Sequence, residues 1–508
     1  MNEITAVLID TVSIQKYIFS SNRLSENLGA SFIIEQIFDE TLKETLKQQN
    51  NLPETSFEKW KDAKGSLFES GETVEVGYIG GGNALLFFSE ESQAKAFLRY
   101  FSRKVLIETP GVTLGMTYKK VDQNTVEKDF TGFLLDIFKQ LQATKNRSFP
   151  NVKLQKYGIT KDCPLSNEAA DTCLHDSDHE LKFISTLSKT KRLRSEQAIK
   201  NRFQKHKLTT EIDKLGQKDG DNWIGVVHID GNNMGVKFQQ CKNLNQLRQL
   251  SATVKKITNE SFEELLEELE KNIKETKELE KIIKNANEIL PIRPIVIGGD
   301  DVTFVCNANL ALYLTEKFIT IWTKKMNSAK TQEHFKFSAC GGIAYVKTKY
   351  PFYQSYKMAE DLCQRAKRLV KKNKDTEHSA IDFYIHQSSV SGEIDLLVDE
   401  KLHFGPYFVE TMSEQENTID ELTEGIKHFE DWPRSKRKGL RDVLTISTTE
   451  TKKYLFELNA RGLNIPKNRK IFAEYETLNS EKTEKTAFMD IIEIMELYPK
   501  PILAWRCK

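Results

Sequence analysis

Pro294-Ile295-Val296-Ile297-Gly298-Gly299-Asp300-Asp301-Val302-Thr303-Phe304-Val305 is the stretch that decides the fold. Two apolar, β-rich segments flank a Gly-Gly-Asp-Asp turn, which predicts a hairpin with two adjacent carboxylates at its tip. Neighbouring carboxylates repel each other unless a cation lies between them. Hard divalent cations prefer such oxygen ligands. Gly298 and Gly299 let the backbone turn tightly and leave room for a phosphate. The chemistry that most needs this arrangement is two-metal nucleotidyl transfer.

Upstream lies Trp223-Ile224-Gly225-Val226-Val227-His228-Ile229-Asp230-Gly231-Asn232-Asn233-Met234-Gly235, read as a buried strand ending in an aspartate and then a Gly-rich turn. A polymerase-type palm carries one acid at the end of its first strand and the others on the neighbouring hairpin. Asp230, Asp300 and Asp301 fit that plan. A lone GGDD would more simply be a polar turn; the strand before it and the repeat described next argue against that.

The plan occurs twice. Ala6 to Gln15 aligns with Val226 to Gly235, which sets Asp10 over Asp230. Ile79 to Phe88 aligns with Ile297 to Cys306, which sets Gly82 over Asp300 and Asn83 over Asp301. The interval from strand-end Asp to hairpin is 72 residues in the first copy and 70 in the second. Each hairpin leads to an amphipathic helix (Glu91 to Ile107, Asn309 to Met326) and a further strand (Val112 to Val121, Lys336 to Val346). The predicted class is α+β, with two ferredoxin-like palms as a pseudo-dimer, an inserted linker domain and a C-terminal helical domain. The first copy has no hairpin carboxylates but keeps its glycines. It either presents a second nucleotide or serves only as a structural partner.

The expected domains are 1–145 (first palm), 146–220 (basic linker), 221–390 (second palm) and 391–508 (helical). Within the first, one long helix is expected from Ile14 to about Gln48. In the linker, Lys189-Thr190-Lys191-Arg192-Leu193-Arg194 is read as a phosphate contact in preference to a solvated face. Cys163, Cys173, His175 and His179 could supply four zinc ligands, although their spacing is not a standard one. The Glu/Lys-rich segment from Leu244 to Asn285 is expected to project as an exposed helix or helical pair. Ser379 to Ile385 reads as an edge strand, and the region from 391 as separate.

The chain has 508 residues, 39% hydrophobic and 29% charged, with a net charge of +1, so it is not a uniformly basic nucleic-acid coat. No run of 18 apolar residues occurs, so no membrane helix is expected. The N-terminus is not read as a secretory signal. Seven scattered cysteines, with Cys306, Cys340 and Cys363 in apolar segments, predict a reducing cytoplasmic setting.

Asp230-Gly231-Asn232-Asn233-Met234-Gly235, the Gly298 to Asp301 hairpin, Phe337 to Val346, Tyr350-Pro351 and Ala366-Lys367 resemble the large palm-domain subunit of type III CRISPR effector complexes. Asp10 to Phe19 and Gly29-Ala30-Ser31 resemble that subunit's first palm. More distantly, the second palm is similar to diguanylate cyclases of the GGDEF type. The resemblance implies a synthase that joins ATP into cyclic oligoadenylates at two Mg²⁺ or Mn²⁺ ions, switched on by target RNA, with other effector subunits as partners. On that model Asp230 and Asp300 bridge the metals, Asp301 completes the site, and the Gly231 carbonyl is a further ligand. Asn232, Gly298 and Gly299 line the nucleotide, and Lys367 meets its terminal phosphates. Ser13, Gly80, Gly81, Gly82 and Asn83 seat the acceptor nucleotide.

Three departures matter. The chain opens on the first palm without the family's His-Asp nuclease domain, so DNA cleavage is not expected. Two cysteines and two histidines stand where the family often has four cysteines. Asn232 replaces an acid found in many members. The competing readings are a non-catalytic scaffold of an RNA-guided complex and a stand-alone cyclic dinucleotide synthase, with homo-oligomers a further expectation.

Overall fold

A computed structural model of the chain describes residues 3–507 apart from 54–56, 63–66, 69–71, 147–157, 167, 176–179, 202, 219–221, 287, 330–334, 373–377, 388–393, 399–401, 411–416 and 466–485. Strands β1 (Glu3–Val12), β2 (Val74–Gly80), β3 (Asn83–Phe88) and β4 (Thr113–Asp122) form an antiparallel sheet in the order β2-β3-β1-β4. Alternation along β1 and β3 buries Val7, Ile9, Leu86 and Phe88 among helices. Helices α1 (Ile14–Ile18) and α2 (Leu24–Gln36) follow β1, and a π-helical turn over Ile37–Thr41 leads to α3 (Leu42–Asn50). The expected single helix is therefore broken after Ile18. There the Ser21 Oγ accepts from the Arg23 amide at 3.1 Å, a local bond that competes with the helix. Phe19 leaves the helix to stack on Tyr356, with ring centroids 3.6 Å apart. Helices α4 (Glu91–Glu108) and α5 (Phe130–Lys145) complete this unit.

The linker carries a hairpin of β5 (Thr172–His175) and β6 (Leu181–Ile184), then α6 (Thr186–Asn201). Helix α6 lies so close to α2 that a Cβ on Gly29 would overlap the Lys191 carbonyl oxygen. This packing overturns the phosphate reading for Lys191, at the centre of the basic run. Lys191 is buried, and its ammonium donates to the Tyr17 carbonyl at 2.7 Å and to Ser20 Oγ at 2.9 Å. Of the four residues considered for zinc, Cys163 is buried with its Sγ 3.8 Å from Ser188 Oγ, Cys173 and His175 lie on β5, and His179 falls outside the described residues.

The second sheet is built from β7 (Trp223–Gly231), β8 (Ile292–Gly298), β9 (Asp301–Asn307), β10 (Ala339–Lys347), β11 (Ala380–Ile385) and β12 (Tyr407–Phe408). Its order is β12-β11-β10-β7-β9-β8, so β10-β7-β9-β8 repeats the first sheet strand for strand. The double palm expected from the repeat is what the chain forms. Strand β11 is not an edge, because β12, from beyond residue 390, pairs with it. Helix α7 (Leu244–Glu275) links β7 to β8, α8 (Ala308–Ser328) follows β9, and α9 (Phe352–Lys372) follows β10.

Helix α7 does not project. Leu247, Leu250, Val254, Phe262, Leu265 and Leu269 are all buried, at helical spacing, and its Glu and Lys residues form the outer face. It packs on β2 of the first sheet and β8 of its own, while α2 packs on β8 in return.

The C-terminal helices α10 (Ile419–Glu430), α11 (Arg434–Ile446), α12 (Thr448–Ala460) and α13 (Phe488–Ile494) share the core of the second palm and are not separate. His403 bridges Asp382 of β11 (2.7 Å) and Asp490 of α13 (3.0 Å), and the Tyr407 hydroxyl donates to Asp490 at 2.6 Å. Burial alone would lower the His403 pKa, but the carboxylates of Asp490 and Asp382 outweigh it and raise it to about 10. Among the described residues, no helix is long and apolar enough to cross a membrane.

Candidate active site

Both hairpins have two-residue turns, built differently. Gly81 and Gly82 take φ +56° and +82°, so both central positions are left-handed. In the second hairpin only Gly299, at φ +64°, is left-handed, and Asp300 keeps a negative φ. An aspartate is thus accommodated at position 300 without backbone strain, whereas its counterpart Gly82 sits where a side chain is disfavoured. The two turns meet tip to tip: a Cβ on Gly299 would stand 3.9 Å from Gly81 Cα.

The strand register gathers the acids. Asp230, near the end of β7, pairs directly with Asp301, the first residue of β9. Asp300 folds over Gly231, where a Cβ would come within 2.9 Å of the Asp300 Cβ. Burial, then the charge of Asp230, raises the Asp300 pKa well above the usual carboxylate range. The same two causes push Asp301 up to about 8. Asp301 Oδ1 is buried without a hydrogen-bond partner, and the buried His228 Nδ1 lies 3.4 Å from it. Three acids converge with too little compensating charge.

Lys367, on α9, supplies part of that charge. Its ammonium donates to Asp230 Oδ2 at 2.6 Å and to the Gly231 carbonyl at 3.0 Å. It therefore rests on two groups expected to hold a cation. The other Asp301 oxygen, Oδ2, accepts from the Gln15 amide nitrogen, which reaches across from the first palm.

Two clefts open on either side of Asp300, which lines both. The inter-palm cleft, about 190 Å³, runs between the hairpins past Gln15, Gly81, Gly82, Gly298, Gly299 and Asp301. The other, about 260 Å³, lies over Asp230, Gly231 and Asn232, under Gln364, Lys367 and Lys371 of α9.

Not every predicted residue reaches these clefts. Ser13 is exposed, with a left-handed backbone at φ +55°, and Gln15 takes its place in the inter-palm cleft. Asn83 begins β3 opposite Asp10, its Oδ1 buried and unpartnered, but it does not line either cleft. Asn232 borders the second cleft, yet its Nδ2 is committed to Ser338 Oγ (2.9 Å) and the His378 carbonyl (3.1 Å). Its amide nitrogen holds the turn against the start of β10. Lys145 escaped sequence reasoning. At the end of α5 it pairs with Asp10, as Lys367 pairs with Asp230. The intervals, 135 and 137 residues, are the signal that could have found it.

The donor set suits a hard divalent cation: three carboxylates, one carbonyl, an orphaned carboxylate oxygen and mutual repulsion that a cation would relieve. Among the described residues, however, no group of three or more acidic, His or Cys side chains stands arranged to hold a metal. Lys367 and Gln15 occupy oxygens of Asp230 and Asp301 instead.

Residues 223–376 match the family model of the Cas10/Cmr2 second palm domain. No curated protein matches the chain in sequence. Among solved structures, Csm1 from T. onnurineus superposes with a TM-score of 0.61 at 12% identity, covering 99% of this chain and 70% of that one. A Csm1–Csm4 cassette in complex with AMPPNP gives a TM-score of 0.51 at 12% identity, covering 99% of this chain and 70% of that one. A cassette in complex with cA3 gives 0.52 at 11% identity, with the same coverage. At such identities the likeness is one of fold. Residues 223–376 thus form a palm similar to the Cas10/Cmr2 second palm domain, and the chain as a whole shares its fold with Csm1.

Proposed function

We propose that the chain is a nucleotidyltransferase that joins ATP into cyclic oligoadenylates as part of a type III CRISPR effector. The observation that carries this is the convergence of Asp230, Asp300 and Asp301 at the one hairpin tip that faces both clefts. Relatives of the same fold bind AMPPNP and cA3 in complex with Csm4, which supports adenine nucleotides as substrate and a second subunit as partner.

Asp230, Asp300, Asp301 and the Gly231 carbonyl would hold Mg²⁺ or Mn²⁺. Bound there, the cations supply positive charge that eases attack of a 3′-hydroxyl on the α-phosphate and offsets the departing pyrophosphate. The chain's own groups do the rest. Lys367 and Lys371 receive the terminal phosphates in the cleft under α9, and Lys367 exchanges Asp230 for phosphate as it does so. Gly298 and Gly299 admit the α-phosphate at the hairpin tip. Gly80, Gly81 and Gly82 seat the second nucleotide in the inter-palm cleft, with Gln15 steadying Asp301. RNA is the proposed activator.

One observation favours the scaffold reading: Lys367 and Gln15 already engage one carboxylate oxygen each of Asp230 and Asp301. Purified protein, incubated with Mg²⁺ or Mn²⁺ and each NTP, with and without RNA and a Csm4-type partner, decides between them. Mass spectrometry should find adenylate rings that need the metal. Intact ATP under every condition would establish the scaffold.

A further inference from the structure

Helix α7 belongs to the second palm by sequence, yet its polar side chains reach both hairpins. Along its buried side Arg248, Ser251, Lys255 and Thr258 form one polar stripe at helical spacing. Arg248 is buried and donates to the Gly77 carbonyl at 3.0 Å and the Val76 carbonyl at 2.7 Å, at the bulge in β2. Ser251 Oγ donates to the Ile79 carbonyl at 3.1 Å, in the first hairpin. The fit is close: a Cβ on Gly80 would lie 2.6 Å from Ser251 Oγ. Lys255 binds both Asp39 oxygens at 2.9 Å. Thr258 Oγ1 donates to the Gly299 carbonyl at 2.6 Å, in the second hairpin.

Thr258 is fully buried, and its hydroxyl has one proton. The Trp322 indole N–H donates to that same oxygen at 2.9 Å, so the proton is left for Gly299. Ser251 and Thr258 are seven residues, two helical turns, apart, a rise of about 10 Å. A rigid rod therefore grips a carbonyl in each hairpin, one on the strand just before the first turn and one at the second turn itself.

We propose that α7 is a positioning bar that sets the distance between the two hairpins, with Ser251 and Thr258 as its positioning residues. This rests on the reading that the hairpins present the two reacting nucleotides. Reaction rate depends steeply on such alignment, while binding to either half-site does not.

The test uses the full chain, with its partner subunit if activity needs it, and the variants Thr258→Val, Thr258→Ser and Ser251→Ala. Two measurements are made: turnover beside ATP affinity, and hydrogen exchange of the hairpin amides over 298–301 and 79–83. Thr258→Val removes two buried hydrogen bonds, to Gly299 and from Trp322, so the melting temperature should fall modestly, while turnover slows about tenfold or more with ATP affinity nearly unchanged. Exchange over 298–301 should quicken, and Thr258→Ser should restore both. Ser251→Ala should quicken exchange over 79–83. Unchanged exchange overturns the proposal, as does full activity in Thr258→Val or a loss that Thr258→Ser does not repair. If the wild-type chain forms no product at all, the synthase reading fails, and exchange alone still decides whether α7 holds the hairpins.

Discussion

The two hairpins differ by one carboxylate pair and one backbone sign. Around them the palms are alike: the same strand order, the same Asp ending the first strand, and a lysine from the helix after the fourth strand bonded to that Asp. In the first palm the turn needs positive φ at both central residues, Gly81 and Gly82. In the second it needs it only at Gly299, which frees the next position for Asp300. Loss of acids and change of turn go together. Asp10 without hairpin neighbours forms an ordinary ion pair with Lys145, whereas Asp230 meets two more acids that one lysine does not neutralise. The comparison teaches that a palm is made reactive by an excess of half-buried acid, which the turn geometry either permits or forbids.

The largest test of that contrast is removal of the acids. Replacing Asp300 and Asp301 by Ala should lower product formation by at least about 10²-fold, the scale seen when one preorganised electrostatic group is lost. The variant should melt no lower than the wild type, because relieving repulsion between half-buried carboxylates offsets the lost contacts. Asp10→Ala should cost less than about tenfold. Equal losses at both sites would erase the distinction between the palms.

The lysines sharpen it. Lys367→Ala should raise the KM for ATP by about 10–100-fold, the loss of a charge-assisted bond to phosphate, while Lys145→Ala should leave KM near its starting value. Steady-state kinetics on both variants would show it. A third variant, Gly82→Asp, writes the missing acid into the first turn. At φ +82°, with a new Cβ 2.5 Å from Ile14 Cδ1, it should cost about 1–3 kcal/mol in thermal or denaturant melts and bring no new cation site.

A smaller effect separates the sheets by pH. The second is tied to α13 through His403, whose pKa rises to about 10 in the fold. The folded state holds that proton more tightly than an unfolded histidine, with its pKa near 6.5. The bridge therefore contributes fully below about pH 6.5, and its contribution drains away as pH climbs toward 10. Denaturant melts from pH 6 to 10 should show stability falling, and His403→Gln should flatten the slope.

Much of this was legible in the chain. A Gly-Gly-Asp-Asp turn between apolar runs is a local signal, and the repeat carried the sheet order with it. Other features depend on where the palms dock. Gln15 ends the repeated stretch from Ala6, but nothing there marks it as functional; it matters because the interface sets its amide on Asp301. The density of Glu and Lys in helix α7 predicts an exposed helix, although Leu247, Leu250, Val254, Phe262, Leu265 and Leu269 mark a buried face. The basic run in the linker misled for a related reason: Gly29 draws α6 in until Lys191 becomes an internal donor. Charge counts describe the exposed face of a helix and are silent about the other.

The central claim is that the second palm alone gathers enough acid to hold divalent cations under a nucleotide. Titration of Mn²⁺ into the protein with ATP, followed by electron paramagnetic resonance, measures this directly. Bound Mn²⁺ should appear in the wild type and in Asp10→Ala, and vanish in the Asp300→Ala/Asp301→Ala variant. Bound Mn²⁺ undiminished in the double variant would contradict the account.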